Sequence, residues 1–253
     1  MTGARTATFT VLPHAEEVAA AAADRFVDVI RRAVHQREIA RVALSGGSTP
    51  RLVYPLLTSP PRRDALDWSR VEFFWGDERA VPPDHPVSNF GVAYQMLIAQ
   101  LPEVHAERVH RMPAEAPDLD AAALGYEAEL RLAFGSRGDE APAFDLIWLG
   151  MGADGHTASL FPGSAALDIT DRLVVGNWAP GPAAWRMTFT YPLLNAAREV
   201  LFVVTGSDKA DALARVRAGD PEMPAARVQA ASIEWLVDAS AAGTTESGAA
   251  SPD

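Results

Sequence analysis

Four times in this chain a short apolar run empties into a glycine-bearing polar turn. The junctions fall at Leu44/Ser45, Trp75/Gly76, Leu149/Gly150 and Thr205/Gly206. Each run is long enough for one buried strand. Between them lie segments of helical spacing. In residues 15–36, Val18, Ala22, Phe26, Val29, Ile30 and Val34 recur on one face, and residues 119–134 form a second amphipathic stretch. Strand, turn and helix in alternation predict an α/β fold: one doubly wound, mainly parallel, Rossmann-like sheet with helices on both faces, occupying residues 1–238. In such a sheet these turns open on one rim, beyond the carboxyl ends of the strands, where open α/β sheets bind ligands. Further strands are expected at 6–12 (an edge), 108–112, 173–175, 186–190 and 233–237. A helix is expected at 90–100, begun by Asn89 as an N-cap begins one. The small polar residues 239–253 are expected to be a disordered tail.

Composition narrows the function classes. Of 253 residues, Lys+Arg number 22 and Asp+Glu 33, for a net charge of −11. With no basic run, this balance argues against nucleic acid or an anionic membrane as partner. It leaves an anionic small molecule open, since a few Arg and backbone N–H groups can hold one phosphate. There is no cysteine, which removes thiol catalysis, disulfides and thiolate metal sites. The first residues lack the apolar core of a signal peptide and no apolar run approaches spanning length, so a cytoplasmic protein is expected.

Two turns carry the most chemistry. Gly150, Gly152 and Gly155 crowd the segment LGMGADGHTASLFPGS, and His156 follows them at the rim. Histidine is the one side chain there able to exchange a proton near neutral pH. A structural turn with a solvated histidine is the alternative, less natural for a His inside Gly-x-Gly-x-Asp-Gly-His. The segment is expected to run from strand through turn into a helix. The second turn is Ser45-Gly46-Gly47-Ser48-Thr49-Pro50. At a helix N-terminus, unpaired N–H groups and the dipole attract anions, with Ser48 and Thr49 offering hydroxyls and a cap. An ordinary capped helix entry fits the same residues. Neither a Walker loop nor a dinucleotide fingerprint is present. After the second junction, Asp77 and Arg79 fall where they can reach over the sheet rim, while Glu78, Asp84 and His85 read as a surface charge cluster.

With these loops in view, the chain resembles the 6-phosphogluconolactonases. The matching segments are LSGGSTP, FFWGDERAVPPDHPVSNF, LGMGADGHTASLFPGS and RMTFTYPLLNAAREVLFVVTGSDKADAL, which span most of the chain. Glucosamine-6-phosphate deaminases share SGGSTP and Gly-x-Gly-x-Asp-Gly-His, but there Ile-Ala-Phe-Asn-Glu-Pro follows the histidine; Thr157-Ala158-Ser159-Leu160-Phe161-Pro162 follows it here. The resemblance implies hydrolysis of 6-phospho-D-glucono-1,5-lactone, a small-molecule substrate, with no cofactor and no metal. His156 would be the general base, with Asp77 orienting it or holding sugar hydroxyls. The implied substrate- and phosphate-binding set is Ser45, Gly46, Gly47, Ser48, Thr49, Arg79, Asn89, Gly155 and Arg186. A monomer or weak homodimer is expected. In one place the sequence departs: lactonases often carry a Lys before the Arg186 strand, where residues 179–184 here have none, so another cation must compensate. An amino-sugar-phosphate deaminase/isomerase and a non-catalytic sugar-phosphate-binding regulator are the alternative functions.

Overall fold

The computed structural model describes residues 6–136, 140–179 and 183–244. Its main sheet has six strands, all parallel: β1 (Thr6–Leu12), β2 (Ala40–Leu44), β3 (Val71–Trp75), then β5 (Leu146–Leu149), β8 (Glu199–Val204) and β9 (Ser232–Asp238). The spatial order is β1-β9-β8-β5-β2-β3. A second sheet has three antiparallel strands in the order β4 (Asp77–Arg79), β7 (Trp185–Phe189), β6 (Val174–Trp178). Among the described residues six α-helices accompany them: α1 (Ala15–Arg37), α2 (Ser48–Leu57), α3 (Asn89–Met96), α4 (Leu119–Phe134), α5 (Tyr191–Ala196) and α6 (Ala210–Arg217).

Central strands buried on both faces need apolar residues at every position, which is why β3 and β5 are buried throughout. Phe73 and Phe74 of β3 show how the two faces divide, because consecutive strand residues point to opposite sides. Phe73 stacks on Trp68, which stacks on Phe26 of α1; Phe26 and Tyr54 of α2 both meet Trp148 of β5. One face is therefore covered by α1 and α2. Phe74 instead meets Phe134 of α4 and Phe144, and Phe144 meets Phe189 of β7. The other face is covered by α4 and the small sheet. At the edge, Phe9, Trp235 and Phe202 stand in register on β1, β9 and β8 and stack, with centroids 5.3 Å and 3.7 Å apart.

Several expectations are corrected. Residues 77–79, read as loop, form β4, and β7 pairs antiparallel with it rather than joining the main sheet. Residues 108–112 are not a strand: a 3-10 turn spans Ala106–Arg108 and one bridge joins Val109 to Phe73. No helix follows His156. Residues 150–164 are turns with one bridge between Thr157 and Leu160, then a 3-10 turn at Ala165–Asp168. Ser88, not Asn89, caps α3, its hydroxyl accepting from Gly91 N at 3.0 Å. Residues 239–244, placed in the tail, are ordered: Ala239 N donates to Leu12 O at 2.8 Å and Ala241 is fully buried. Residues 245–253 lie outside the described residues.

Candidate active site

From β2 the sheet order runs one way to β3, and from β5 the other way to β8. The crevice between these directions lies at the carboxyl ends of β2 and β5, the switch point of an open α/β sheet. A cavity of about 220 Å³ occupies it. The turn after β2 contributes Ser45, Gly46, Gly47, Ser48 and Thr49; β4 contributes Asp77 and Arg79; the turn after β5 contributes Met151, Gly152 and His156; the turn after β8 contributes Thr205 and Lys209. A wider open groove of about 780 Å³ lies along α1 and holds none of the predicted residues.

The histidine is held from within its own loop. His156 Nδ1 lies 2.6 Å from Asp154 Oδ1, the same oxygen accepts His156 N at 3.1 Å, and the ring packs on Phe161 at 4.3 Å. Burial pushes the Asp154 carboxyl up, but the His156 ring hydrogen bond, its charge and its backbone N–H outweigh that and leave Asp154 below the usual carboxylate range. Asp77 therefore does not orient His156. It lies buried, accepting from Ser159 Oγ at 2.6 Å on Oδ2 and from Asn89 Nδ2 at 3.2 Å on Oδ1.

Opposing strands bring the cations together. Arg79 of β4 sits directly across from Arg186 of β7. Arg79 donates to Val87 O, yet its Nε, the Arg186 Nε and the Ser45 hydroxyl are all buried without a partner among the described residues. Burial and the neighbouring Arg79 charge lower the Arg186 pKa, against the pull of Asp77 and Glu78. Two like charges left side by side and short of acceptors favour an anion between them. The start of α2 adds to this: its N-cap is Gly47, without a side-chain cap, so its first N–H groups are free for a ligand. Ser48 thus does not cap the helix, and Thr49 Oγ1 is 3.0 Å from Thr205 Oγ1.

Two predicted binding residues stand behind the cavity wall. Asn89 is buried and also donates to Asp77 O at 2.9 Å. It packs so closely on the turn after β2 that a Cβ on Gly46 would fall 1.7 Å from its Oδ1. Gly155, at φ +80°, shapes the loop: its carbonyl accepts from Ala225 N, and a Cβ there would meet Met223 Sδ at 2.5 Å. Glu78, read as a surface charge, is 3% exposed and accepts from Arg79 N, Ser88 Oγ, Asn89 N and Phe90 N at 2.7–2.9 Å. Burial raises its pKa despite these donors. Sequence reasoning missed Asp154, Ser159 and Lys209. Asp154 was visible inside Gly-x-Gly-x-Asp-Gly-His, and Lys209 in the one junction turn given no site residue. Residues 180–182, the core of the loop noted for lacking a lysine, lie outside the described residues.

Comparison with known proteins agrees with this geometry. The family model described as glucosamine-6-phosphate isomerases/6-phosphogluconolactonase matches residues 13–237. A 6-phosphogluconolactonase from Nostoc sp. is 40% identical over 92% of this chain and 96% of its own length. One from Synechocystis sp. is 44% identical over 83% and 86%. The structure of 6-phosphogluconolactonase from Trypanosoma cruzi superposes with a TM-score of 0.81 at 28% identity, covering 97% of this chain and 99% of that one. The chain belongs to the glucosamine-6-phosphate isomerase/6-phosphogluconolactonase family, on its 6-phosphogluconolactonase branch.

Proposed function

We propose that the chain hydrolyses 6-phospho-D-glucono-1,5-lactone to 6-phospho-D-gluconate with His156 as general base. The observation that carries this reading is one cavity lined by both His156, held by Asp154, and the Arg79 side of an under-satisfied arginine pair. With Nδ1 engaged by Asp154, Nε2 is the ring nitrogen left for water. It takes a proton as the water oxygen bonds to the lactone carbonyl carbon. Backbone N–H groups of the glycine turns stabilise the resulting oxyanion. Collapse breaks the bond to the ring oxygen, and the imidazolium returns its proton to that oxygen. A lactone is already a reactive ester, so these groups suffice.

The phosphate is assigned to Arg79, Arg186, the Ser45 hydroxyl and the uncapped start of α2, with Lys209 as the further cation of the cavity wall. Lys209 stands in for the lysine absent from residues 179–184. Asp77 accepts hydrogen bonds from sugar hydroxyls, and Asn89 and Gly155 support the wall. Anchoring the phosphate at one end fixes the carbonyl beside His156 at the other. A cytoplasmic setting and a monomer or weak homodimer complete the reading.

The test generates the lactone in situ with glucose-6-phosphate dehydrogenase and follows 6-phosphogluconate formation above the spontaneous rate. We expect acceleration by the wild type and a loss of roughly 10²–10⁴-fold in His156→Asn. Full turnover in that variant would remove His156 from the mechanism.

A further inference from the structure

Asp77 is gripped by two residues at once, one at the start of α3 and one on the histidine loop. Ser159 lies three residues beyond His156 and is 1% exposed. Its hydroxyl donates to Asp77 Oδ2 at 2.6 Å, its N–H donates to Thr188 Oγ1 at 3.1 Å, and its carbonyl accepts from Asn177 Nδ2 at 2.8 Å. Each polar group of Ser159 is thus spent on the small sheet: Asp77 on β4, Thr188 on β7, Asn177 on β6. Ala158, just before it, takes φ +48°, a conformation uncommon for a residue with a Cβ. The backbone bends through that residue as the chain passes from the cavity wall to the buried serine. Asn89 donates to the other oxygen of the same carboxylate and packs closely against the turn at Gly46.

We propose that Ser159 is a positioning residue: it locks the Asp77 carboxylate to the His156 loop, so that the hydroxyl-binding group and the base hold one fixed spacing. This rests on the reading of Asp77 as a sugar-hydroxyl acceptor. A hydroxyl hydrogen-bonded to a carboxylate is among the stronger neutral-to-charged contacts. Without it Asp77 keeps Asn89 but loses its link to the base. The lactone then binds by its phosphate with its carbonyl poorly aligned.

The experiment is a double-mutant cycle on lactone turnover, with competitive inhibition by inorganic phosphate measured alongside. Ser159→Ala is expected to lower kcat/KM by about ten- to a hundredfold, with the loss carried mainly by kcat and the inhibition constant of phosphate unchanged. In an Asp77→Ala background the same substitution is expected to add little, because residues acting through one another are non-additive. Ser159→Cys, similar in size but a weak donor, repeats the measurement if the alanine variant folds poorly. Wild-type turnover in both Ser159 variants, beside a damaged Asp77→Ala, overturns this inference alone. So does a Ser159 loss of equal size in both backgrounds, or a matching loss of phosphate affinity. A silent Asp77→Ala overturns the reading of Asp77 and this inference with it.

Discussion

His156 and Asp154 sit two residues apart on one loop, so base and orienter move as a unit. The Asp154 pKa is lowered in the folded protein, which means the folded state favours the charged form. Its stabilising effect is therefore full above the ordinary aspartate range and is lost as pH falls through the lowered folded value. The pair is part-exposed, with side-chain exposures of 30% and 46%, so the effect amounts to less than about 1 kcal/mol. Thermal unfolding of wild type and Asp154→Asn should differ slightly at pH 7 and converge as the pH drops below 4. The arginines predict a different signature. Arg79→Ala or Arg186→Ala should raise KM for the phosphorylated lactone by roughly ten- to a hundredfold, since each removes a charged hydrogen-bonding partner. Unphosphorylated gluconolactone should be hydrolysed nearly as before, and equal loss on both substrates would contradict the assignment. At this scale the sequence was most readable where chemistry is rare. A histidine among glycines declares itself, whereas a serine such as Ser159, whose whole role lies in burial and partners, looks like any other.

Among the elements, β4 with the loop that follows was the hardest to read. Three residues, two acidic and one basic, carry no apolar alternation, so nothing in Asp77-Glu78-Arg79 announces a strand. What makes it one is the partner β7, which only the tertiary fold brings alongside. The same fold buries Glu78 and sets it against three backbone N–H groups and the Ser88 hydroxyl, at the positive end of α3. Glu78→Gln should cost about 1–3 kcal/mol, because a buried acceptor gives up its charge and faces N–H donors with an amide. Denaturant unfolding would show a lower midpoint at unchanged slope. Gly46→Ala tests the close approach of Asn89 in the neighbouring element. Its methyl cannot share space with the Asn89 side chain, so overpacking of about 1–3 kcal/mol should appear, together with weaker lactone turnover. The helix expected after His156 fails because Ala158 and Gly163 both take positive φ beyond it; Pro162 and Gly163 were visible in the sequence, whereas the conformation of Ala158 was not.

Over the whole molecule, the strands of the main sheet were found from apolar runs and, for β1, from alternation, but their neighbours were not. Order in a parallel sheet depends on which crossovers pack together, and no single run records that. The edge is held by the aromatic file Phe9, Trp235 and Phe202. Trp235→Ala should destabilise the fold by about 3–5 kcal/mol with little change in kcat for molecules still folded, since none of the three rings lines the cavity. Asp238 ends β9 and accepts from Gly206 N at 3.1 Å with both oxygens, so the last strand also braces the turn that carries Lys209. Among the described residues, β1 pairs with β9 and with no other strand. A chain emerging from a ribosome therefore makes its first strand long before the partner for it exists. Until the C-terminal segment has left the exit tunnel, β1 must wait unpaired and β8 must offer an open edge. Nascent chains of this protein would thus be most exposed to mispairing late in synthesis, and a premature stop between β8 and residue 232 would strand both edges at once.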